Sequence, residues 1–584
     1  MQTDGKIGKR LIVVALVLLA VLPYLNALDA GFTFDDDPQI RSNRAVTGGI
    51  DPVLLLACPL YPGDLYRPFT VLTFAVNERL APGVAWPFHA VNIALHALVT
   101  ILVFILGTRL FASWRIGVVA GALFAVHPIH TEAVTSVVGR AEVLAALFGL
   151  VAMLSAAEIE RTSGRVSRTA VQVLSLTSFA LALLSKESAL TLLVLIPLFR
   201  VVRRGEALRR GLWGEVRSLN WVPYALTAAV ILGLRIYVVG TLVSTETVTP
   251  LENMLAFVPW TLRVRSAMGV LWDYFGLLAL PMNLAADYST AQVPVVVSWA
   301  DARALAGVAL VAAAIFLCLR DRRPAVSFAV ILPFVALLLT ANVLFPIGTV
   351  KAERLLYLPS VGWVLLAAYV FDRLVRVPRY RTLMLAVLAT VITAYGGRTW
   401  MRNWDWQDNF VLHRSMARSA PNSAKSRYNF AVALQKEGQQ EAAAGQFRSA
   451  LALYPWSEGS ALGLGIAFEK EGVPDAAADW YRRALAIMPE YHEAHTNLCH
   501  VLFSTGRFAE AEAACRNGLR FYPTDANMLK GLGGSLVARG ESEKGVEVLR
   551  RALTLAPGDE ELRLYLAQFN TYALAAREPR VVRQ

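Results

Sequence analysis

Three consecutive carboxylates, Asp35, Asp36 and Asp37, follow the first hydrophobic stretch of the chain in the run Phe34-Asp35-Asp36-Asp37-Pro38. The same region continues through Arg41, Asn43 and Arg44 to Tyr66-Arg67-Pro68. Three more polar segments interrupt apolar sequence: His127-Pro128-Ile129-His130-Thr131-Glu132 leading to Gly139-Arg140-Ala141-Glu142, then Ser185-Lys186-Glu187-Ser188, then Lys351-Ala352-Glu353-Arg354 running on to Tyr357 and Pro359. Side chains of these types exchange protons, hold anions or ligate cations. Ionisable groups are costly at or near a bilayer, so each segment is a functional candidate. His127, His130 and Glu132 raise a metal reading. Pro128 interrupts the helix that would align them, and no third His or Cys follows at ligand spacing.

The elements that must position these residues are mostly membrane helices. The chain has 584 residues, of which 56% are hydrophobic and only 17% charged, well below the roughly 25% of soluble proteins. Residues 11 to 28 form the first expected span, a retained anchor rather than a signal peptide because no small-residue cleavage site follows at a suitable distance. Ten more apolar stretches lie near 88–111, 116–127, 141–157, 170–184, 188–202, 219–239, 303–319, 325–345, 355–372 and 382–398. Eleven crossings place the Arg-rich loops at 161–168, 200–217, 320–323 and 373–381 on one side, the cytoplasm by the positive-inside rule. The stretch 254–280 contains Arg263, Arg265 and Asp273, and is expected to be re-entrant or interfacial. On this topology all four polar segments, and everything after residue 398, face away from the cytoplasm.

The C-terminal part is legible from its period. Pro421, Pro455, Pro489, Pro523 and Pro557 recur every 34 residues, as do Gly438, Gly472, Gly506 and Gly540. That spacing predicts tetratricopeptide repeats, each a pair of helices. Ala431, Gly465, Cys499 and Gly533 are small where helices must approach, while Phe447 and Tyr481 fill the second helix. Four repeats and a terminal helix near 560–577 predict a short solenoid whose groove binds protein segments. The fold class is therefore all-α: a polytopic helical bundle over 1–400, a linker over 401–420, a repeat solenoid over 421–577 and a tail over 578–584.

Phe32 to Asn43, the HPIHTEAV and VVGRAE segments, LLSKES and AERLLYLPSVG together resemble the motifs of the transmembrane and tetratricopeptide-repeat-containing O-mannosyltransferases, members of the GT-C glycosyltransferases. Pro281-Met282-Asn283-Leu284 with Asp287-Tyr288-Ser289 is similar to the segment that precedes the last spans in that family. The resemblance implies a GT-C bundle that transfers a sugar, mannose or another hexose, from a polyprenyl phosphate to a protein hydroxyl on the extracytoplasmic face, with inversion. Such a transfer needs a carboxylate to take the acceptor proton and cations to stabilise the departing phosphate. The resemblance gives the first role to Asp36 or Asp35 and the second to Arg140, Lys186 and Arg354. His127, His130, Glu132, Glu142, Glu187, Glu353 and Tyr357 are the remaining pocket candidates. A divalent cation such as Mg or Mn, bridging the aspartates and the lipid phosphate, would suit oxygen ligands, and the sequence leaves that cofactor open.

Each of these groups has a plainer explanation. The aspartates would serve as a solvated collar, Glu187 and Glu353 would neutralise adjacent cations, and Glu353 and Tyr357, four apart, would brace one helix face. His89, Asn92 and His96 share a stripe suited to interhelical hydrogen bonds. Cys499 and Cys515 are expected as small packing residues, with a disulfide as the alternative if the repeats are outside the cell. Nucleic acid is excluded as a partner despite a net charge of +12, because the basic residues line the inner membrane face next to lipid headgroups. No glycine-rich nucleotide loop is present, which disfavours a nucleotide-sugar donor. The Arg-rich composition points to a bacterial plasma membrane. The rival to an enzyme is a non-catalytic membrane scaffold whose repeats recruit envelope proteins.

Overall fold

The computed structural model describes residues 2–57, 60, 65–206, 208–242, 248–320 and 323–575; Cys58 and the tail at 578–584 lie outside them. The chain divides into Met1–Pro421 and Asn422–Gln584. Both units are helical.

The first unit is a multi-pass membrane bundle. Among the described residues seven helices are long and apolar enough to cross a bilayer, or eight if Trp114–Val126 and Pro128–Val134, bent by 52° at their break, form one span. Pro128 accounts for the break, since it lacks an N–H and its ring clashes with the preceding turn. The other three expected crossings fall on helices of 13, 14 and 17 residues: Leu192–Arg204, Pro324–Leu337 and Pro359–Val375. Trp260–Ala279 is one continuous helix of 20 residues, without the interruption a re-entrant loop would need.

Small residues bring the spans together. A Cβ on Gly117 would stand 2.1 Å from Thr108 Oγ1, and one on Gly362 would stand 2.6 Å from Ala329 O. In lipid, where apolar surface gains little by pairing, such close backbone approach supplies the packing. Polar groups bond across helices as well. Asn92 Nδ2 donates to Val134 O, Ser136 O and Val137 O at 3.1–3.3 Å.

Residues 401–420, expected as a linker, fold onto the first unit. A 3-10 turn, Trp404–Trp406, leads to the helix Asn409–Ser419, whose first turn is capped by Asp408 accepting Val411 N–H at 2.8 Å.

The second unit contains four helix pairs. They run from Ala424–Lys436 with Gln440–Leu453 to Ala526–Ala538 with Ser542–Leu555, and Glu560–Ala575 follows. Ser423, Ser457 and Asp525 cap first helices by accepting an N–H of the opening turn. Those helices end where Gly438, Gly472, Gly506 and Gly540 take φ of +76° to +90°, a left-handed conformation glycine adopts without strain. A Cβ on Gly465 would meet the Tyr481 ring at 2.3 Å, so the small residue is required there. At the equivalent place Cys499 is joined to Cys515 by a disulfide, with Cα atoms 5.1 Å apart. The packing role expected for these cysteines is thus replaced by a covalent bond between the two helices of the third repeat.

Candidate functional site

Three acid–base pairs converge in the first unit. Arg67 donates to Glu187 through Nε at 3.1 Å and Nη2 at 2.7 Å. Lys186 Nζ bonds Glu142, and Arg354 Nη1 bonds Glu132, whose other oxygen accepts the Arg354 N–H at 2.8 Å. The pairs share one field: Lys186 responds to Glu142, Arg67, Glu187 and Arg354, and Arg354 to Glu132, Asp35 and Glu142. Burial opposes charge on each cation. It pushes the Lys186 ammonium down despite Glu142, whereas for Arg354 the three carboxylates outweigh it and hold the guanidinium protonated. Burial likewise raises Glu187, but the bidentate Arg67 overrides it and keeps that carboxyl below the usual range. Arg354 keeps 34% of its side chain exposed; Lys186 is almost fully enclosed.

The three adjacent aspartates meet different fates. Asp36 is fully buried, and its two oxygens accept the N–H groups of Thr33 at 2.9 Å and Val138 at 3.0 Å. Burial raises its carboxyl to about 7, outweighing those two bonds, and the charge of Asp35 adds to the rise. Asp37 pairs with Arg41 at 2.8 Å at the surface. Asp35 is half-exposed and lies in the field of Arg354.

Other expected site residues stand elsewhere. Arg140 is buried with every guanidinium nitrogen donating: Nε to Asn92 Oδ1 at 2.7 Å, Nη1 to Asn77 Oδ1 at 2.6 Å and Thr73 O at 3.1 Å, Nη2 to Phe88 O at 2.9 Å. Its guanidinium also lies over the rings of Phe74 and Phe88. These contacts tie Pro68–Leu80 and Trp86–Phe111 to Arg140–Glu158. His127 caps Ile129 N–H and contacts Leu278 O, while His130 reaches Ser360 Oγ at 2.8 Å. Tyr357 hydroxyl meets His96 Nδ1 at 2.9 Å, and the rings of His96, Phe124, His130 and Tyr357 pack together in the core.

Glu353 points to a different set of partners. It accepts the hydroxyl of Tyr288 at 2.7 Å and the N–H of Ala285, and faces Arg402 at 3.9 Å. The expected brace from Glu353 to Tyr357 does not form. Glu353–Leu356 is a 3-10 turn, in which residues three apart, not four, are eclipsed. Burial raises the Glu353 carboxyl to about 7 against the attraction of Arg402.

Among the described residues no group of three or more His, Cys, Asp or Glu side chains is arranged to hold a metal ion. Glu132, Glu142 and Glu187 are each matched to a cation, and Asp36 to backbone N–H groups. Arg67 was missing from the expected phosphate-binding cations. Its sequence signal is a single Arg before Pro68 at the entry to a helix, and its partner Glu187 is 120 positions away.

Tetratricopeptide-repeat family models match residues 428–492 and 468–533. Across 76% of its length the chain is 31% identical to protein O-mannosyl-transferase TMTC3 of Mus musculus, covering 51% of that protein. It is 31% identical to protein O-mannosyl-transferase TMTC4 of Homo sapiens over 73% of this chain and 64% of the relative. The Caenorhabditis elegans protein O-mannosyl-transferase F38B6.6 is 30% identical over 75% of this chain and 62% of the relative. The chain spans about half the length of the first of these curated relatives. The resemblance carried by the motifs of the membrane half therefore extends over most of the chain.

Proposed function

We propose that the protein is a membrane glycosyltransferase that moves a sugar, mannose or another hexose, from a polyprenyl phosphate to a hydroxyl of a protein acceptor. The observation that carries this reading is the gathering of Asp35, Arg354, Lys186 and Arg67 from segments far apart in sequence, in a chain whose relatives are named protein O-mannosyl-transferases. Asp35 is the better base of the two sequence candidates. It is half-exposed and in the field of Arg354, whereas Asp36 is fully buried.

In the proposed step the acceptor oxygen attacks the anomeric carbon as Asp35 takes its proton. The bond from that carbon to the phosphate oxygen breaks, and the electron pair leaves with the polyprenyl phosphate. Attack opposite the leaving group inverts the centre. Arg354, the most exposed of the three cations, meets the phosphate first; Arg67 and Lys186 add positive field. The Glu partners hold these cations in place while nothing is bound.

The sidedness follows from the expected topology, with the pocket and the repeats extracytoplasmic in a plasma membrane, bacterial by composition. The Cys499–Cys515 disulfide supports that side, since such bonds persist in oxidising compartments. The repeats would hold the acceptor polypeptide and raise its local concentration near the pocket.

The test supplies purified protein in lipid with radiolabelled polyprenyl-phosphate mannose or glucose and a mixture of unfolded acceptor polypeptides. Label should enter protein from at least one donor, in a linkage to Ser or Thr that alkali releases by β-elimination. No incorporation from any donor would favour the scaffold reading.

A further inference from the structure

The backbone before Asp35 is held in a costly conformation. Phe34 has φ of 53°, the left-handed region that a bulky L-residue avoids sterically. Such a residue persists only where its surroundings over-determine it. Here they come from the other end of the membrane unit. Phe34 N–H donates to Asn409 Oδ1 at 2.7 Å, and Gly31 N–H donates to Gln407 O at 2.8 Å. The Phe34 ring stands edge-on to His413, with centroids 5.9 Å apart, and packs against Trp406, Leu412 and Met416. The helix that supplies these contacts is itself well anchored: Asp408 caps it, and Leu412 and Met416 are buried.

We propose that Trp404–Trp406 and Asn409–Ser419 form a clamp that sets the direction of Asp35, with Asn409 as its positioning residue. The Asn409 amide oxygen holds the Phe34 N–H, and the left-handed turn sends Asp35 toward Arg354 while Asp36 turns into its cage of backbone amides. Asn409 touches no reacting atom and acts through Phe34. The catalytic part of this proposal rests on Asp35 as the base; the structural part does not. Acceptor chemistry dictates which substitutions matter. Asp in place of Asn409 keeps an oxygen for the Phe34 N–H, and Ala removes it.

The experiment uses full-length protein in lipid, with Asn409→Ala and Asn409→Asp compared with wild type by hydrogen exchange and by sugar transfer. Asn409→Ala should speed exchange at residues 31–36 by about tenfold or more, with the rest of the molecule and the thermal midpoint unchanged. Its kcat should fall by about tenfold or more while the KM for the lipid donor holds, because geometry rather than donor binding is lost. Asn409→Asp should restore both. Unchanged exchange at 31–36, or a general loss of protection across the bundle, would overturn the clamp. Faster exchange with unchanged kcat would overturn the positioning role. If wild type transfers no sugar, the transferase reading fails and the exchange arm still decides the clamp.

Discussion

Asp36 accepts one amide hydrogen on each carboxylate oxygen, and Asp37 directs its charge to Arg41 at the surface. Asp35 is half-exposed and lies in the field of Arg354, and it is the acid we propose as the base. Sequence could show three acids in a row but not this division, because it depends on Val138 and Asn409, both remote along the chain. Arg140 shows the opposite outcome, a charge that reads as a ligand clamp and is consumed by packing and five protein acceptors. Burial also has a consequence for stability. Asp36 and Glu353 both have carboxyls raised to about 7, so from the ordinary carboxylate range near pH 4 up to about 7 the folded state binds more protons than the unfolded one. Stability therefore falls as pH rises through that window. We expect wild type to lose stability between about pH 4 and 7, with Asp36 contributing on the order of 4 kcal/mol. Asp36→Asn should flatten the slope in denaturant titrations. An identical slope in the variant would contradict a raised Asp36.

At the level of elements, local chemistry was legible wherever it repeats. The 34-residue Pro and Gly period and the small packing positions match helices in the structure. The stretch 401–420 was not legible. It is polar and lacks both a repeat period and a membrane-length apolar run, yet its role depends on Trp406, Asn409 and Met416 meeting Phe34 from far away. The helices Leu192–Arg204 and Pro324–Leu337 overlap expected spans but, at 13 and 14 residues, are shorter than a full crossing. Cys499 and Cys515 were ambiguous because a cysteine fills a small-residue position as well as alanine does. The bond between them closes a loop of 16 residues, for which chain entropy suggests about 3 kcal/mol of stabilisation. Reduction of the intact protein, or Cys515→Ala, should speed hydrogen exchange in His492–Ser504 and Phe508–Phe521 well beyond any change in Ala424–Lys436. Equal exchange in oxidised and reduced protein would contradict a stabilising disulfide.

At the scale of the whole molecule, a membrane unit carries the charged cluster and a repeat unit supplies a surface suited to polypeptide. Similarity to the relatives extends over about three quarters of the chain. The proposed lipid-linked donor would meet the cations of the cluster, and the proposed protein acceptor would meet the repeats. The account depends on one proton acceptor. The decisive measurement is the initial rate of label transfer from polyprenyl-phosphate mannose, or whichever donor proves active, by wild type, Asp35→Asn, Asp36→Asn and Asp37→Asn at equal amounts of folded protein. Asp35→Asn should lose about 10²-fold to 10⁴-fold in kcat with little change in donor KM, and Asp37→Asn should stay within about threefold of wild type. Asp35→Asn at the wild-type rate, with activity lost instead in Asp36→Asn, would contradict the assignment.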